Sequence, residues 1–210
     1  DQKGPLFIAS IHTTKLDDIA TETFHISPDE IAQLGFAIAH ILDNTILDAE
    51  QLTPTVKARA QQIASALSGA KQPVVISGTS CGTDQVMKAA ANIAWALHKR
   101  NKKAGIVLTL PECNSMGLAA LEGRSLESAF NAARNGQADT VFIVENDLHR
   151  HGKTSDVRNF LKNFKHIVVL DHSNTPTAQE ANYLIPAGTF AESDGVLVNN
   201  EGRAQRYFQV

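Results

Sequence analysis

Short apolar runs, each closed by a turn of small residues and followed by an amphipathic stretch, recur along most of this sequence. No other feature constrains the fold as tightly. The runs at 73–77, 105–110, 140–145, 167–171 and 183–186 read as strands. Between them, apolar positions at helical spacing predict helices over 83–101, 125–135, 154–163 and 176–181. Strands that read as nearly continuous Val/Ile/Leu runs are expected to be buried on both faces, as in parallel sheets covered by helices. The expected class is therefore α/β: a doubly wound, mostly parallel sheet of five or six strands with helices on both faces. Val74, Val75, Ile76, Val107, Val141, Ile143, Val168 and Val169 should lie in its core.

The first third of the chain is organised less regularly. A β-like run at 6–11 precedes Ser27-Pro28-Asp29-Glu30, in which serine suits the N-cap, proline N1 and glutamate N3. The helix that follows should reach about Asp43, with Ile31, Leu34, Ala37, Ile38, Ile41 and Leu42 along one face. Pro54 after Thr53 opens a second helix that ends near Gly69. The expected organisation is an α/β domain over 1–186, with 1–70 readable as a distinct lobe. The tail over 187–210 is interrupted by Gly188, Gly195, Asn199, Asn200 and Gly202, which predicts an extended loop with a strand. Asp1 stands where a methionine would start a complete chain, and Val210 stops inside an alternating run, so a piece of a longer protein is expected.

Composition narrows the function classes. With 19 basic and 22 acidic side chains the net charge is -3, which excludes a polycation that coats nucleic acid. No apolar run reaches the roughly 18 residues a membrane-spanning helix needs. The two cysteines, Cys81 and Cys113, lack C-x-x-C spacing, so neither a four-thiolate metal site nor a disulfide framework can be built from them. A reducing, cytoplasmic compartment fits this usage.

In open α/β sheets ligands bind beyond the carboxyl ends of the strands, which directs attention to three loops. The first is Ser77-Gly78-Thr79-Ser80-Cys81-Gly82-Thr83, small residues leading into a helix whose first amides could hold a phosphate. It matches neither G-x-x-x-x-G-K-[ST] nor G-x-G-x-x-G, and a tight strand-to-helix turn explains it as well. The second, Glu145-Asn146-Asp147-Leu148-His149-Arg150-His151, could hold a ribose, a phosphate or a metal, yet its histidines at i and i+2 lack the spacing of a helical metal pair. The third, Asp171-His172-Ser173-Asn174-Thr175, puts an acid at a strand end, either for a ribose or for its own loop amides. Cys81 and Cys113 read as turn residues rather than nucleophiles. Glu192, Asp194, Glu201 and Arg203 read as a structural ion-pair network. No catalytic residue and no metal ligand is expected.

Asn182-Tyr183-Leu184-Ile185-Pro186-Ala187 is followed by Phe190-Ala191-Glu192-Ser193-Asp194-Gly195-Val196-Leu197-Val198-Asn199-Asn200-Glu201-Gly202-Arg203-Ala204-Gln205. This passage resembles the close of the dinucleotide-binding domains in the molybdopterin oxidoreductase superfamily. The segment from Glu145 to His151, the Gly78–Gly82 turn, Asn114-Ser115-Met116-Gly117-Leu118 and the run from Asn199 to Val210 look more narrowly like the G-subunit family of bacterial NADH-quinone oxidoreductases. The wider resemblance implies loops that approach a molybdopterin guanine dinucleotide, with Gly78, Thr79, Ser80, Asn146 and Asp171 as remnant candidates for such a site. Cys113-Asn114-Ser115-Met116-Gly117 and Glu145-Asn146-Asp147 depart from the superfamily's N-x-Q-G-A and E-N-P. The narrower resemblance implies a scaffold domain with no cofactor of its own, and iron-sulfur clusters elsewhere in the parent chain. It also implies other hydrophilic-arm subunits as partners and a peripheral place on the cytoplasmic side of the inner membrane. The alternative it leaves is the dinucleotide-binding part of a molybdopterin oxidoreductase such as a formate dehydrogenase.

Overall fold

A computed structural model describes residues 4–49, 52–100 and 102–210. The chain divides into two compact units, 1–113 and 114–210, each with its own core.

In the first unit β1 (Phe7–Ser10) and β2 (Glu22–His25) pair in parallel, and so do β3 (Val74–Gly78) and β4 (Gly105–Thr109). Three helices surround them: α1 (Pro28–Leu42), α2 (Pro54–Gly69) and α3 (Asp84–Lys99). Residue 101, the last expected for α3, lies outside the described residues. The start of α1 is fixed by a reciprocal cap. The Glu30 amide donates to Ser27 Oγ at 3.4 Å, and the Ser27 amide donates to Glu30 Oε2 at 2.9 Å. The Ser27 amide and then its hydroxyl hold the Glu30 carboxyl below the usual carboxylate range. Thr53 caps α2 in one direction only, its hydroxyl accepting the Val56 amide at 3.3 Å. The apolar face of α1 carries Leu34, Ile38 and Leu42 into a cluster with Phe24, Ile63, Ile93 and Leu97.

The segment after α1 is tied to the end of α3. Lys99 Nζ lies 2.6 Å from Asp43 Oδ2, while the Thr45 hydroxyl and amide donate to Asp43 Oδ1 at 2.7 and 3.0 Å. Lys99 first, then Thr45, pull the Asp43 carboxyl down from 3.8 to about 2. A group depressed on folding adds stability that is complete above its unfolded value and is lost as the pH falls through its folded value. Asp43→Asn is therefore expected to lower the melting temperature by a few degrees at neutral pH. The difference from the parent chain should shrink between about pH 4 and pH 2, as thermal melts across that range would show.

In the second unit β5 (Thr140–Val144), β6 (His166–Asp171) and β7 (Tyr183–Pro186) form a parallel sheet in that order. The helices are α4 (Ser115–Ala120), α5 (Leu126–Arg134), α6 (Thr154–Leu161) and α7 (Pro176–Gln179). Phe130 stacks on Phe160 at 4.4 Å, and Phe160 meets Phe164 edge-on at 5.0 Å, joining α5 and α6 above Ile143, Ile167 and Val169. The tail forms an antiparallel hairpin of β8 (Gly195–Val198) and β9 (Ala204–Tyr207), where one strand in an extended loop was expected. Asn114 Oδ1 accepts the Val198 amide at 2.8 Å and fastens the hairpin beside α4.

The expected α/β class with parallel strands is what forms, but its sheets are small. Four are found among the described residues, the largest of three strands, where one sheet of five or six was anticipated. The expected core is corrected accordingly. Ile143, Val168 and Val169 are buried and Val75 and Val141 are half-buried, whereas Val74, Ile76 and Val107 are exposed. In β3 the cause is the two-residue period of a strand, whereas β4 is exposed on both faces, Ile106, Val107 and Leu108 alike. In register, Ile76 faces Val107 and Val74 faces Gly105, so these side chains share one face of the β3–β4 pair, while α3 packs against the pair. In the second unit Phe142 and Val144 are exposed in the same alternation, with Ile143 buried between them.

Candidate functional site

In the first unit β3 ends in Gly78, whose backbone is extended. A Cβ there would run into the side chain of Thr109 and come within 2.5 Å of the Thr109 carbonyl oxygen. Glycine is thus required by the close approach of β4. Thr79 and Ser80 continue into a 3-10 turn, Thr79–Cys81, closed by the Gly82 amide donating to the Thr79 carbonyl at 3.0 Å. Gly82 takes φ +68°, a left-handed conformation that favours glycine. The helix that follows is capped by Thr83, whose hydroxyl accepts the Gln85 amide at 3.3 Å. Its first residue, Asp84, carries a carboxylate paired with Lys88 at 2.6 Å, and that contact holds the acid below its usual range. A phosphate approaching these amides would meet an acid already placed at the helix N-terminus. Cys81 is half-buried and Cys113 exposed, and neither forms a disulfide.

In the second unit the remaining two loops lie on adjacent strand ends, because β5 pairs with β6. The Glu145 amide donates to the Leu170 carbonyl at 2.7 Å and extends that pairing by one residue. Glu145 itself has φ +46°, a conformation uncommon for a residue with a side chain. Asn146 is exposed. Asp147 turns back into the protein, where Oδ1 accepts the Thr177 hydroxyl at 2.7 Å and the His149 amide at 3.3 Å. The Thr177 hydroxyl in turn accepts the Leu148 amide at 2.9 Å. Burial acts to raise the Asp147 carboxyl, but hydrogen bonds from Thr177 and His149 outweigh it and hold it below the ordinary value. His149 Nε2 stands 3.4 Å from Glu180 Oε1, which also receives Arg158 Nε at 3.3 Å. Asp171 is buried, and its Oδ1 accepts the Ser173 amide at 2.9 Å, with His172 Nδ1 at 3.6 Å. Its backbone carbonyl takes the Ala187 amide at 3.1 Å.

The structure therefore brings Asn146 and Asp171 onto neighbouring loops, while Gly78, Thr79 and Ser80 belong to the other unit. Thr177 and Glu180 escaped the sequence reading. Each lies some 30 residues from its partner loop, and a threonine in Pro-Thr-Ala-Gln carries no mark of a buried hydroxyl. Among the described residues no three His, Cys, Asp or Glu side chains converge as a metal ligand set. The acids of the tail act as caps and turn acceptors. Glu192 Oε2 accepts the Thr189 amide and hydroxyl, both at 2.9 Å, and Asp194 Oδ1 accepts the Gln209 amide at 2.7 Å. The Thr189 amide and then its hydroxyl keep Glu192 below the usual carboxylate range.

Helix-covered parallel strands with loops at their carboxyl ends define an α/β domain. The sequence matches the molybdopterin oxidoreductase family over residues 2–210, and the chain belongs to that family. It is 48% identical over 207 residues to the G subunit of the NADH-quinone oxidoreductase of Pseudomonas fluorescens. It is 44% identical over 208 residues to the corresponding G subunit of Escherichia coli strain K12. Both alignments take in 99% of this chain, which spans only 23% of the length of these curated relatives. No helix among the described residues is long and apolar enough to cross a membrane.

Proposed function

We propose that this chain is a scaffold domain of an NADH-quinone oxidoreductase G subunit, supporting NADH-to-quinone electron transfer without a cofactor of its own. In this reading residues 1–186 form its α/β body, and 187–210 lead on into the remainder of the subunit. Iron-sulfur clusters belong to that remainder. The other hydrophilic-arm subunits are its partners, and the assembly sits peripherally on the cytoplasmic side of the inner membrane.

The observation that carries this reading is the internal use of the loop groups. A pterin dinucleotide needs amides and cations aimed at its phosphates. Here the Leu148 and His149 amides are taken by Thr177 and Asp147, and the Ser173 amide is taken by Asp171. The nearby side chains bring three acids, Glu145, Asp147 and Asp171, against one arginine, Arg150, a balance that disfavours a diphosphate. These residues do not fit the dinucleotide. What they do fit is a rigid strand-end platform, in which each loop is locked to the next element.

The full-length protein carrying this segment should contain iron but neither molybdenum nor an extractable pterin. Elemental analysis and the fluorescence of the oxidised pterin check this. A near-stoichiometric molybdenum or pterin content would replace the scaffold by the dinucleotide-binding part of a molybdopterin oxidoreductase.

A further inference from the structure

From Gln85 to Pro111 the chain carries Lys88, Lys99, Arg100, Lys102 and Lys103 and no Asp or Glu, although the whole molecule has a net charge of -3. The fold gathers most of these cations where the ends of α2 and α3 meet. Arg100 Nη1 donates to Ser68 Oγ at 3.4 Å, and Lys102 Nζ donates to the Ala70 carbonyl at 3.2 Å, beside the exposed Lys71. Lys99 is neutralised by Asp43. Lys71, Arg100, Lys102 and Lys103 have no ion-pair partner among the described residues, and of these only Lys102 is half-buried. Two helix C-termini, each equivalent to about half a negative charge, offset about one of these cations. The rest of the charge faces solvent next to Trp95. That side chain is 60% exposed, stands one turn before Lys99, and has its ring 6.2 Å from that of His98.

We propose that this surface docks an acidic segment of a partner protein, with an apolar side chain seated against the Trp95 indole and carboxylates paired with Lys71, Arg100 and Lys103. Charge complementarity selects the acids, and tryptophan beside arginine is the composition that carries binding energy in protein interfaces. A bilayer is a poorer occupant. The apolar face of α3, with Ile93, Ala96 and Leu97, is buried in the core of the unit, and Trp95 is the only large apolar side chain the helix leaves exposed to enter acyl chains. A nucleic acid would meet a chain of net negative charge with few free cations to displace its counterions. A segment of this kind on a neighbouring subunit would deepen the scaffold reading and rest on it. Binding of an acidic peptide and the metal content of the parent protein are read separately, so either can fail alone.

Trp95 is the single tryptophan of the chain, so its fluorescence reports on this surface directly. The test is a titration of the 210-residue chain at low salt with the acetylated peptide EELEELEELEE, with its lysine twin KKLKKLKKLKK, and with phosphatidylglycerol vesicles. A saturable shift of the emission to shorter wavelength is expected with the acidic peptide, lost by about 0.5 M salt, and none with the lysine peptide. Lys71→Glu combined with Lys103→Glu should weaken the acidic peptide about tenfold. It should leave the thermal melt unchanged, because neither ammonium bonds to another described residue. Trp95→Ala, followed by calorimetry, should weaken the same peptide at least about fivefold. The proposal is overturned by emission that never saturates with the acidic peptide, by an equal response to the lysine peptide, or by a double variant that binds as tightly as the parent chain. Vesicles that shift the emission at lower concentration than the peptide would also overturn it, by making the surface a membrane contact.

Discussion

Leu161→Ala is expected to destabilise the second unit by about 3–5 kcal/mol, the range in which buried leucine truncations leave a cavity that the surroundings fail to close. Leu161 is 2% exposed at the end of α6, in a cluster with Val157, Phe160, Ile143 and Val169. Two strands and an aromatic stack are packed there, and such a cluster cannot collapse on a void without displacing the β5–β6 pair. Leu97→Ala should act on the same scale in the first unit, where that side chain is fully buried among α1, α2 and α3. The two cores share no residues, so hydrogen exchange should localise each loss. Amides of β5 and β6 should exchange faster in the Leu161 variant, and those of α1 and α3 in the Leu97 variant. A loss below about 1 kcal/mol in denaturant unfolding would show that these side chains lie in loose surroundings.

Gly78→Ala is the second large effect, expected to cost at least about 2 kcal/mol as an overpacking change. The new methyl meets Thr109 on the paired strand, and one of the atoms it meets is the backbone oxygen, which no rotamer change can move. Relief requires β3 and β4 to part. Thr109→Ala in the same chain should recover only a fraction, because it removes the hydroxyl and leaves the carbonyl. Gly105→Ala serves as the control. It is the neighbouring strand's first residue, and a Cβ there meets only Val74 side-chain carbons, the nearer at 3.6 Å, so it should be close to neutral. If Gly78→Ala melts like the parent chain, the close approach of the two strands is wrong. If it unfolds as expected, the glycine's role in the first strand-end loop is steric and needs no ligand to explain it.

The contrast between Gly78 and Glu30 shows what a sequence of this kind discloses. Capping is written within four residues, so Ser27-Pro28-Asp29-Glu30 and Thr53-Pro54 could be read directly as helix starts, and the structure has caps at both. The strands from β3 to β7 were equally legible, because β-branched runs between turn signals are a local property, whereas the β8–β9 hairpin was read as a single strand in a loop. β2, with Glu22, Thr23 and His25 in four residues, carries no such run and was missed. So was α4, whose Ser-Met-Gly-Leu-Ala-Ala is too short and too glycine-interrupted to show a periodicity. The exposure of Val74, Ile76 and Val107 could not be foreseen either. Which face of a strand is covered depends on where distant helices fall. The loops followed the same division. Asp147 and Asp171 were recognisable as acids at strand ends, but the Thr177 hydroxyl and the Ser173 amide that occupy them are assigned only by the folded chain.

Calorimetric titration of the chain with GDP at low salt tests the central claim most directly, because it asks whether the strand-end loops can still hold the nucleotide half of a pterin dinucleotide. With Asp147 engaged by Thr177 and the His149 amide, Asp171 by the Ser173 amide, and Asp84 heading the helix beyond Gly78, the account predicts no saturable heat. Saturable low-micromolar binding that disappears in Asp171→Ala would contradict it and make these loops a working nucleotide site.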